Sequence, residues 1–98
     1  MDSNKELNGN TLTIKLVGRL DTNTAPELDS EIKKSAADVS KLILDFSDLD
    51  YISSAGLRVV LFTHKLMDNK EGLIVKNINS MIMEVLEATG FTDVLTIE

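Results

Sequence analysis

The sequence predicts a single α/β domain spanning residues 1–98, with a mixed β-sheet that opens with a hairpin and is packed by three to four helices. A chain of 98 residues is long enough for one domain with a modest core and too short for two. Hydrophobic residues make up 43% of it and there is one proline, which is typical of a globular chain rather than a disordered one. Helix-like and strand-like segments alternate after the hairpin, as in an α/β fold.

The first two strands are expected to form the hairpin. Residues 11–16 alternate strictly between polar and apolar side chains, as a half-buried strand does. Asn8-Gly9-Asn10 supplies turn-forming residues before them, so residues 5–7 are expected to form the other arm.

A first helix is expected to begin at Thr24. The Thr24 side chain can cap the helix, Glu27 can complete a capping box with it, and Pro26 needs no N–H in the first turn. An apolar stripe with helical spacing follows, at Leu28, Ile32 and Ala36. Residues 42–46 are then apolar except for Asp45, which is consistent with a central strand.

The apolar-periodic run 57–67 predicts a long helix that ends at Gly72, and residues 73–75 predict the next strand. One face of this helix carries Leu57, Val60, Leu61, His64 and Met67. The opposite face carries Val59, Phe62 and Leu66. One stripe must cover the sheet. The other packs against a neighbouring helix, which is the more common arrangement, or forms an exposed patch.

The C-terminal segment predicts a third helix and a last strand. Asn79 or Ser80 can cap the helix, whose apolar residues are Ile82, Val85 and Leu86. Gly90 suits the left-handed position that follows a helix, with Phe91 after it. Residues 94–97 can then close the sheet.

The most informative segment joins the central strand to the long helix, and it delivers two adjacent hydroxyls, Ser53 and Ser54, to the helix start. Unpaired backbone N–H groups and the positive end of the helix dipole meet there, so the position favours an added negative charge. A serine at this place can cap the helix and can also carry a phosphate. Considered alone, the segment favours a cap, because short motifs often match by chance.

Motifs on both sides of the serines extend the pattern over nearly the whole chain. The motifs are residues 16–21, 24–26, 72–75 and 84–91, with Ile52-Ser53-Ser54-Ala55-Gly56-Leu57 the sharpest of them. In this order and spacing, from about Leu12 to Val94, the chain resembles a STAS domain, specifically the free-standing bacterial anti-sigma factor antagonists. Together, the motifs favour a functional serine over a simple cap.

The resemblance implies a protein-binding switch rather than an enzyme. In this family the unphosphorylated antagonist binds an anti-sigma factor that is itself a serine kinase, which frees a sigma factor for transcription. The kinase phosphorylates the antagonist at the helix start, the pair separates, and a serine phosphatase resets the switch. Aligned on Gly56-Leu57, the phosphoacceptor is Ser54. The preceding position, commonly aspartate in the family, is Ser53 here, which makes Ser53 a second, lesser candidate.

A partner-binding surface is expected around Ser54. The resemblance places partner contacts in the loop before the first helix, and an exposed apolar patch on the long helix would adjoin the serines. The predicted partner-binding residues are Asp21, Thr22, Asn23, Ser53, Gly56, Arg58 and Phe62. Because Asp48 and Asp50 join Asp21 near the serines, this region is expected to be acidic.

Composition argues against several other functions. Sixteen acidic and ten basic residues give a net charge of −6, which duplex DNA would repel, so no direct nucleic-acid binding is expected. No stretch approaches the roughly 20 apolar residues of a membrane span, and the N-terminus is polar. The lack of cysteine suits a reducing compartment, so the expected location is the cytoplasm.

Catalytic, cofactor and metal sites are not expected either. The only histidine, His64, lies ten residues beyond Ser54, about 15 Å along a helix, too far to act as its base. Asp45, Asp48 and Asp50 are interpreted as strand-end and turn residues, because the segment lacks the glycine and distal glutamate of a calcium loop.

Two alternatives use the same fold without a phosphorylation switch. One is a STAS subunit of a lipid-transport ATPase complex, and the other is a stress-signalling scaffold component. Ser54 begins a helix in all three cases, so the motif is common to them. The sequence specifies neither the sigma factor nor the oligomeric state.

Overall fold

The computed structural model describes residues 2–98, which form a five-stranded sheet and three α-helices. The strands are β1 (Asp2–Asn8), β2 (Thr11–Leu20), β3 (Lys41–Ile52), β4 (Gly72–Lys76) and β5 (Thr96–Ile97). The helices are α1 (Ala25–Ser35), α2 (Ser54–Met67) and α3 (Ser80–Ala88), and short 3-10 helices lie at Ala36–Asp38 and Phe91–Asp93. The predicted α/β fold class is confirmed.

The sheet is mixed, and its strands lie in the order of the chain, β1-β2-β3-β4-β5. β1 and β2 form the predicted antiparallel hairpin, and the remaining pairs are parallel. Each parallel connection leads from one strand to its immediate neighbour, always toward the same edge of the sheet. Since such crossovers are right-handed, all three helices lie on one face of the sheet. The other face is open, and it carries Thr13 and Lys15, which alternate with buried Leu12, Ile14 and Leu16.

The core lies between the helices and the covered face of the sheet. β2 and β3 contribute side chains that are almost wholly buried, and α1 adds Leu28 and Ile32, two of its predicted stripe. α2 covers the sheet with Leu57, Val60 and Met67. Burying each such side chain contributes about 1.5–3 kcal/mol relative to leaving it exposed, so this layer holds the helices in place.

The central strand is much longer than residues 42–46. β3 continues to Ile52, and its pairing with β2 changes register twice, after Lys15↔Asp45 and after Gly18↔Leu49. At both places β3 holds one residue more than β2, which is the arrangement of a β-bulge. The bulges interrupt the alternation of polar and apolar side chains beyond Phe46. The sequence pattern therefore predicted that the strand ends after Phe46, whereas the strand continues through two bulges to Ile52.

The three aspartates that were interpreted as strand-end and turn residues lie within β3. Asp45 Oδ1 accepts hydrogen bonds from Ser47 N–H at 3.0 Å and from Asn77 Nδ2 at 2.9 Å. Asp48 forms an ion pair with Lys15, with 3.1 Å between Oδ2 and Nζ. The carboxylates are therefore spread along the strand.

The structure corrects the predicted end of α2, selects one of the two candidate caps of α3 and confirms the glycine after α3. α2 ends at Met67, whereas Gly72, predicted to end the helix, is the first residue of β4 and has φ +99°. Asn79 rather than Ser80 caps α3, because its Oδ1 accepts a hydrogen bond from Ile82 N–H at 2.8 Å. Gly90 has φ +79°, the left-handed conformation that was predicted.

Candidate functional site

The two adjacent serines at the start of α2 have different environments. Ser53 is the N-cap: its Oγ accepts a long hydrogen bond from Gly56 N–H at 3.4 Å, and its own N–H donates to Leu20 O at 2.9 Å. Ser54 is the first residue of the helix, and its side chain is exposed and forms no hydrogen bond with other residues in 2–98. Capping and a free hydroxyl are thus divided between two residues.

Gly56 fixes how closely α2 approaches the sheet. A Cβ at this position would lie 2.8 Å from Leu20 Cγ, 2.9 Å from Leu20 O and 3.0 Å from Ile52 Cγ1. Gly56 is buried, so its contribution to the predicted binding surface is to hold Ser54 against the ends of β2 and β3. Sequence reasoning missed this packing role. A glycine in the first turn of a helix, where it costs stability, was the signal for it.

The loop before α1 is ordered by Asp21, which was predicted to contact a partner. Asp21 Oδ1 accepts hydrogen bonds from Asn23 N–H at 2.9 Å and Thr24 N–H at 3.1 Å. The Thr24 hydroxyl donates to Arg19 O at 2.7 Å and accepts from Asp21 N–H at 2.8 Å. It makes no side-chain cap bond, so the predicted capping box with exposed Glu27 is wrong. Thr24 is used to close the loop instead.

The ionised form of Asp21 is stabilised by these contacts. Partial desolvation of the carboxyl raises its pKa, but the N–H groups of Asn23 and Thr24, the Thr24 hydroxyl and the Arg19 charge outweigh it. The pKa of Asp21 is consequently lowered from its ordinary value of 3.8. The loop therefore keeps its carboxylate through the whole neutral range.

Acidification is expected to loosen this loop only below the ordinary range of aspartate. Because the folded pKa is lower than the unfolded one, the carboxylate stabilises the loop fully above about pH 4, and this stabilisation is lost as the pH falls through the folded pKa. An NMR titration of the Asp21 carboxyl carbon and the Asn23 and Thr24 amides measures it. Asp21→Asn should remove the transition from both amides. Amide shifts that titrate at or above pH 4 in the wild type would contradict the assignment.

The surroundings of Ser54 are less acidic than predicted. Asp21 pairs with Arg19, with 3.7 Å between Oδ2 and Nε, and Asp48 is neutralised by its Lys15 partner. The Arg19 guanidinium also lies over the Tyr51 ring, 4.3 Å from its centroid. Asp50 is exposed and has no ion pair with the described residues 2–98. Asp50 is therefore the carboxylate of this acidic group that keeps its charge unpaired among the described residues and can repel a phosphate on Ser54.

The second apolar stripe of α2 divides between core and surface. Val59 is buried, whereas Phe62 and Leu66 remain 42% and 37% exposed. Complete packing against a neighbouring helix, the arrangement expected to be more common, is therefore wrong for these two residues. Arg58 is exposed one turn beyond Ser54. Ser54, Arg58 and Phe62 thus follow one another along the outer side of α2, and the Asp21 loop begins next to Leu20, whose carbonyl accepts from Ser53 N–H at the start of the helix.

Three further observations concern metal binding, membrane spans and the histidine within residues 2–98. No three His, Asp or Glu side chains there are close enough together to hold a metal ion. No helix in this part of the chain is long and apolar enough to cross a membrane. His64 is half-buried further along α2, away from Ser54.

Comparison with known protein families decides the classification, because the model of the STAS domain matches residues 2–98. The chain belongs to the STAS domain family. The hairpin, the mixed sheet and the three helices of this STAS domain agree with the fold expected from the sequence, and the structure adds that the helices share one face of the sheet.

Relatives of this STAS domain carry the name anti-sigma factor antagonist. BtrV of Bordetella bronchiseptica, provisionally assigned as an anti-sigma factor antagonist, is 37% identical over 87 residues, covering 84% of this chain and 72% of BtrV. The anti-sigma-B factor antagonist of Bacillus subtilis is 26% identical over 91 residues, covering 92% of this chain and 84% of the relative. The crystal structure of an anti-sigma factor antagonist from Mycobacterium paratuberculosis has a TM-score of 0.89 at 22% identity, covering 98% and 83% of the two chains.

Proposed function

We propose that this STAS domain is a phosphorylation-controlled anti-sigma factor antagonist of the cytoplasm, without enzymatic activity of its own. In its unphosphorylated form it binds an anti-sigma factor serine kinase, which frees a sigma factor. Phosphorylation of Ser54 separates the pair, and a serine phosphatase restores binding. The names of its relatives support the interaction with an anti-sigma factor.

The observation that carries this proposal is the division of roles between the two serines. The Ser54 hydroxyl is exposed and free of hydrogen bonds with residues 2–98, so a kinase can reach it without breaking a contact. Ser53 keeps the helix capped meanwhile, through its bond to Gly56 N–H. A phosphate on Ser53 would instead place its bulk on the capping oxygen. Ser54 is therefore the better acceptor.

The start of a helix also tolerates the product. A phosphoserine carries about −1.5 to −2 charges at neutral pH, and the unpaired N–H groups and the dipole of α2 favour negative charge there. Arg58, four residues on, lies on the same side of the helix and has no ion pair with residues 2–98. The fold should therefore accept the phosphate with little rearrangement, and the effect should fall on the interface.

Affinity capture from a lysate of the host tests the proposal. Wild type and Ser54→Ala are expected to retain a kinase-like protein that Ser54→Asp loses, because the carboxylate imitates part of the phosphate charge. Mass spectrometry identifies the retained proteins. Incubating the captured kinase with ATP and the wild-type protein should then add one phosphate, at Ser54 rather than Ser53.

A matched control comes from the third helix. Ser80 is also exposed and also the first residue of a capped helix, so Ser80→Asp adds the same charge in the same local geometry. It is expected to keep the partner. If wild type, Ser54→Ala and Ser54→Asp all retain the same proteins, the switch is refuted, and a scaffold or transporter-subunit role takes its place.

A further inference from the structure

An exposed stripe runs along the whole outer side of α2, and it carries no acidic residue. It begins at Ser54 and continues through Arg58, Phe62, Lys65, Leu66 and, just beyond the helix, Asn69. Ser54, Arg58, Phe62 and Leu66 follow one another at four-residue steps, as do Lys65 and Asn69, so all six lie on one side of the helix. The sequence of α2 contains no Asp or Glu, although the chain as a whole has a net charge of −6. The stripe is thus apolar and basic on an acidic protein.

Beside the stripe lies a depression between α1 and α2 of about 310 Å³. Phe62 and Leu66 line one side of it and Ala36 and Ala37 the other. This volume is at the lower end of the roughly 300–1,000 Å³ of small-molecule pockets. It therefore suits an anchoring side chain from a larger partner better than a complete ligand.

Two cations, Lys33 and Lys70, line this apolar depression, and two more, Arg58 and Lys65, lie on the adjoining stripe. Lys33 Nζ lies 5.3 Å from the centre of the Phe62 ring and pairs with Asp29 at 2.9 Å. Lys70 Nζ donates to Ala36 O at 2.6 Å, which holds its charge at the edge of the depression. Arg58 and Lys65 are exposed, and neither forms an ion pair with residues 2–98. Two of the four positive charges thus remain available to a partner.

We propose that the depression and the basic stripe beside it, together called the α2 groove, bind an acidic amphipathic helix of the partner protein. This helix inserts an apolar side chain between Phe62 and Leu66 and places carboxylates against Arg58 and Lys65. A helix fits because Phe62 and Leu66 are one turn apart, the spacing at which a partner helix presents successive apolar side chains. Acidic side chains fit because every charged residue on the exposed stripe is basic. Other large exposed apolar side chains, such as Leu7 on β1 and Met81 on α3, lie on elements outside the stripe and serve as comparison positions.

The inference deepens the proposed function and rests on it, because it describes the chemistry of the partner bound at the same site. Ser54 stands at one end of the stripe. A phosphate there would add negative charge to a surface that otherwise attracts negative charge, and it would compete for Arg58. An acidic partner is thus the kind that such a switch releases most effectively.

Selection from a displayed random-peptide library on the unphosphorylated protein tests the partner chemistry without knowledge of the partner. The enriched peptides are expected to be acidic, with apolar residues three or four positions apart. A synthetic copy of the best peptide should bind roughly tenfold or more weakly to Phe62→Ser, because truncating a buried aromatic anchor commonly has this effect. Lys65→Glu should weaken it as well, and Leu7→Ser, at a distant exposed apolar residue, should not.

The variants keep the inference open to refutation. Phe62 and Lys65 are both exposed, so neither substitution should unfold the domain, and thermal melting of each variant verifies this. If Phe62→Ser melts at a clearly lower temperature, peptide binding to Lys65→Glu decides whether the α2 groove is used. Three results would each refute binding of an acidic helix at the α2 groove. They are enriched peptides that are basic or neutral, peptides whose affinity is insensitive to both substitutions, and no enrichment at all. Because Ser54 is unmodified throughout, acidic peptides can still bind if Ser54 proves not to be a switch. The two proposals therefore fail separately.

Discussion

Phosphorylation of Ser54 is expected to weaken binding of the captured kinase by about two orders of magnitude while leaving the fold unchanged. In the free protein the phosphate would remain hydrated, because Ser54 is exposed. In the complex it would lose that water, and a dianion at a desolvated contact costs several kcal/mol unless the partner supplies cations. A net loss of about 3 kcal/mol corresponds to more than a hundredfold in affinity.

The same phosphate has little means of moving the sheet. The backbone around Ser54 is tied down on both sides, by Ser53 N–H to Leu20 O and by Leu57 N–H to Ser53 O, each at 2.9 Å. Isothermal titration calorimetry with the two forms measures the affinity, and NMR spectra of the free protein compare the folds. Chemical-shift changes should be confined to the start of α2 and its neighbours. Shifts throughout the sheet, or equal affinities, would refute a surface switch.

Replacing Gly56 by alanine is expected to destabilise the domain by about 2 kcal/mol, although alanine is the better helix former. Helix propensity alone predicts a gain of about 1 kcal/mol. The added methyl group would lie 2.8 Å from Leu20 Cγ and 2.9 Å from Leu20 O, and the second of these atoms belongs to the backbone and cannot turn aside. Overpacking of this kind commonly costs about 1–3 kcal/mol, so the contact should outweigh the propensity.

Thermal unfolding tests the sign directly. For a domain of this size, a loss of about 2 kcal/mol lowers the Tm by roughly 10 °C. Ser54→Ala, two residues away on the exposed side of the same turn, should stay within about 0.5 kcal/mol of wild type. A Gly56→Ala variant as stable as wild type would show that α2 can move off Leu20, and the positioning role of Gly56 would then be wrong. If the role is right, this variant should also weaken partner binding.

Alternation and spacing of side chains were enough to predict the architecture. The 11–16 alternation, the turn residues before it and the regular return of helical runs specified a hairpin followed by helix-strand units. These patterns reflect which side chains must be buried, and burial is the strongest constraint on the fold. Gly90 was likewise predicted, because a left-handed glycine after a helix is decided within a few residues, whereas the choice of Asn79 over Ser80 as the cap came from the structure. The two candidate serines, the Asp21 loop, Arg58 and Phe62 were proposed from the sequence and its family resemblance, and their roles stay predictions.

What the tertiary structure decided is how these residues are used. Ser53 became the cap and Ser54 the free hydroxyl because β3 delivers the chain in an extended conformation up to Ser53. Thr24 was drawn to Arg19 rather than to its own helix, because the end of β2 lies beside it. Gly56 is required because Leu20, distant in sequence, and Ile52 leave no room for a Cβ at this position. Local pattern thus determined the elements and the chemistry of the site, whereas contacts between elements determined which side chains remain available to a partner.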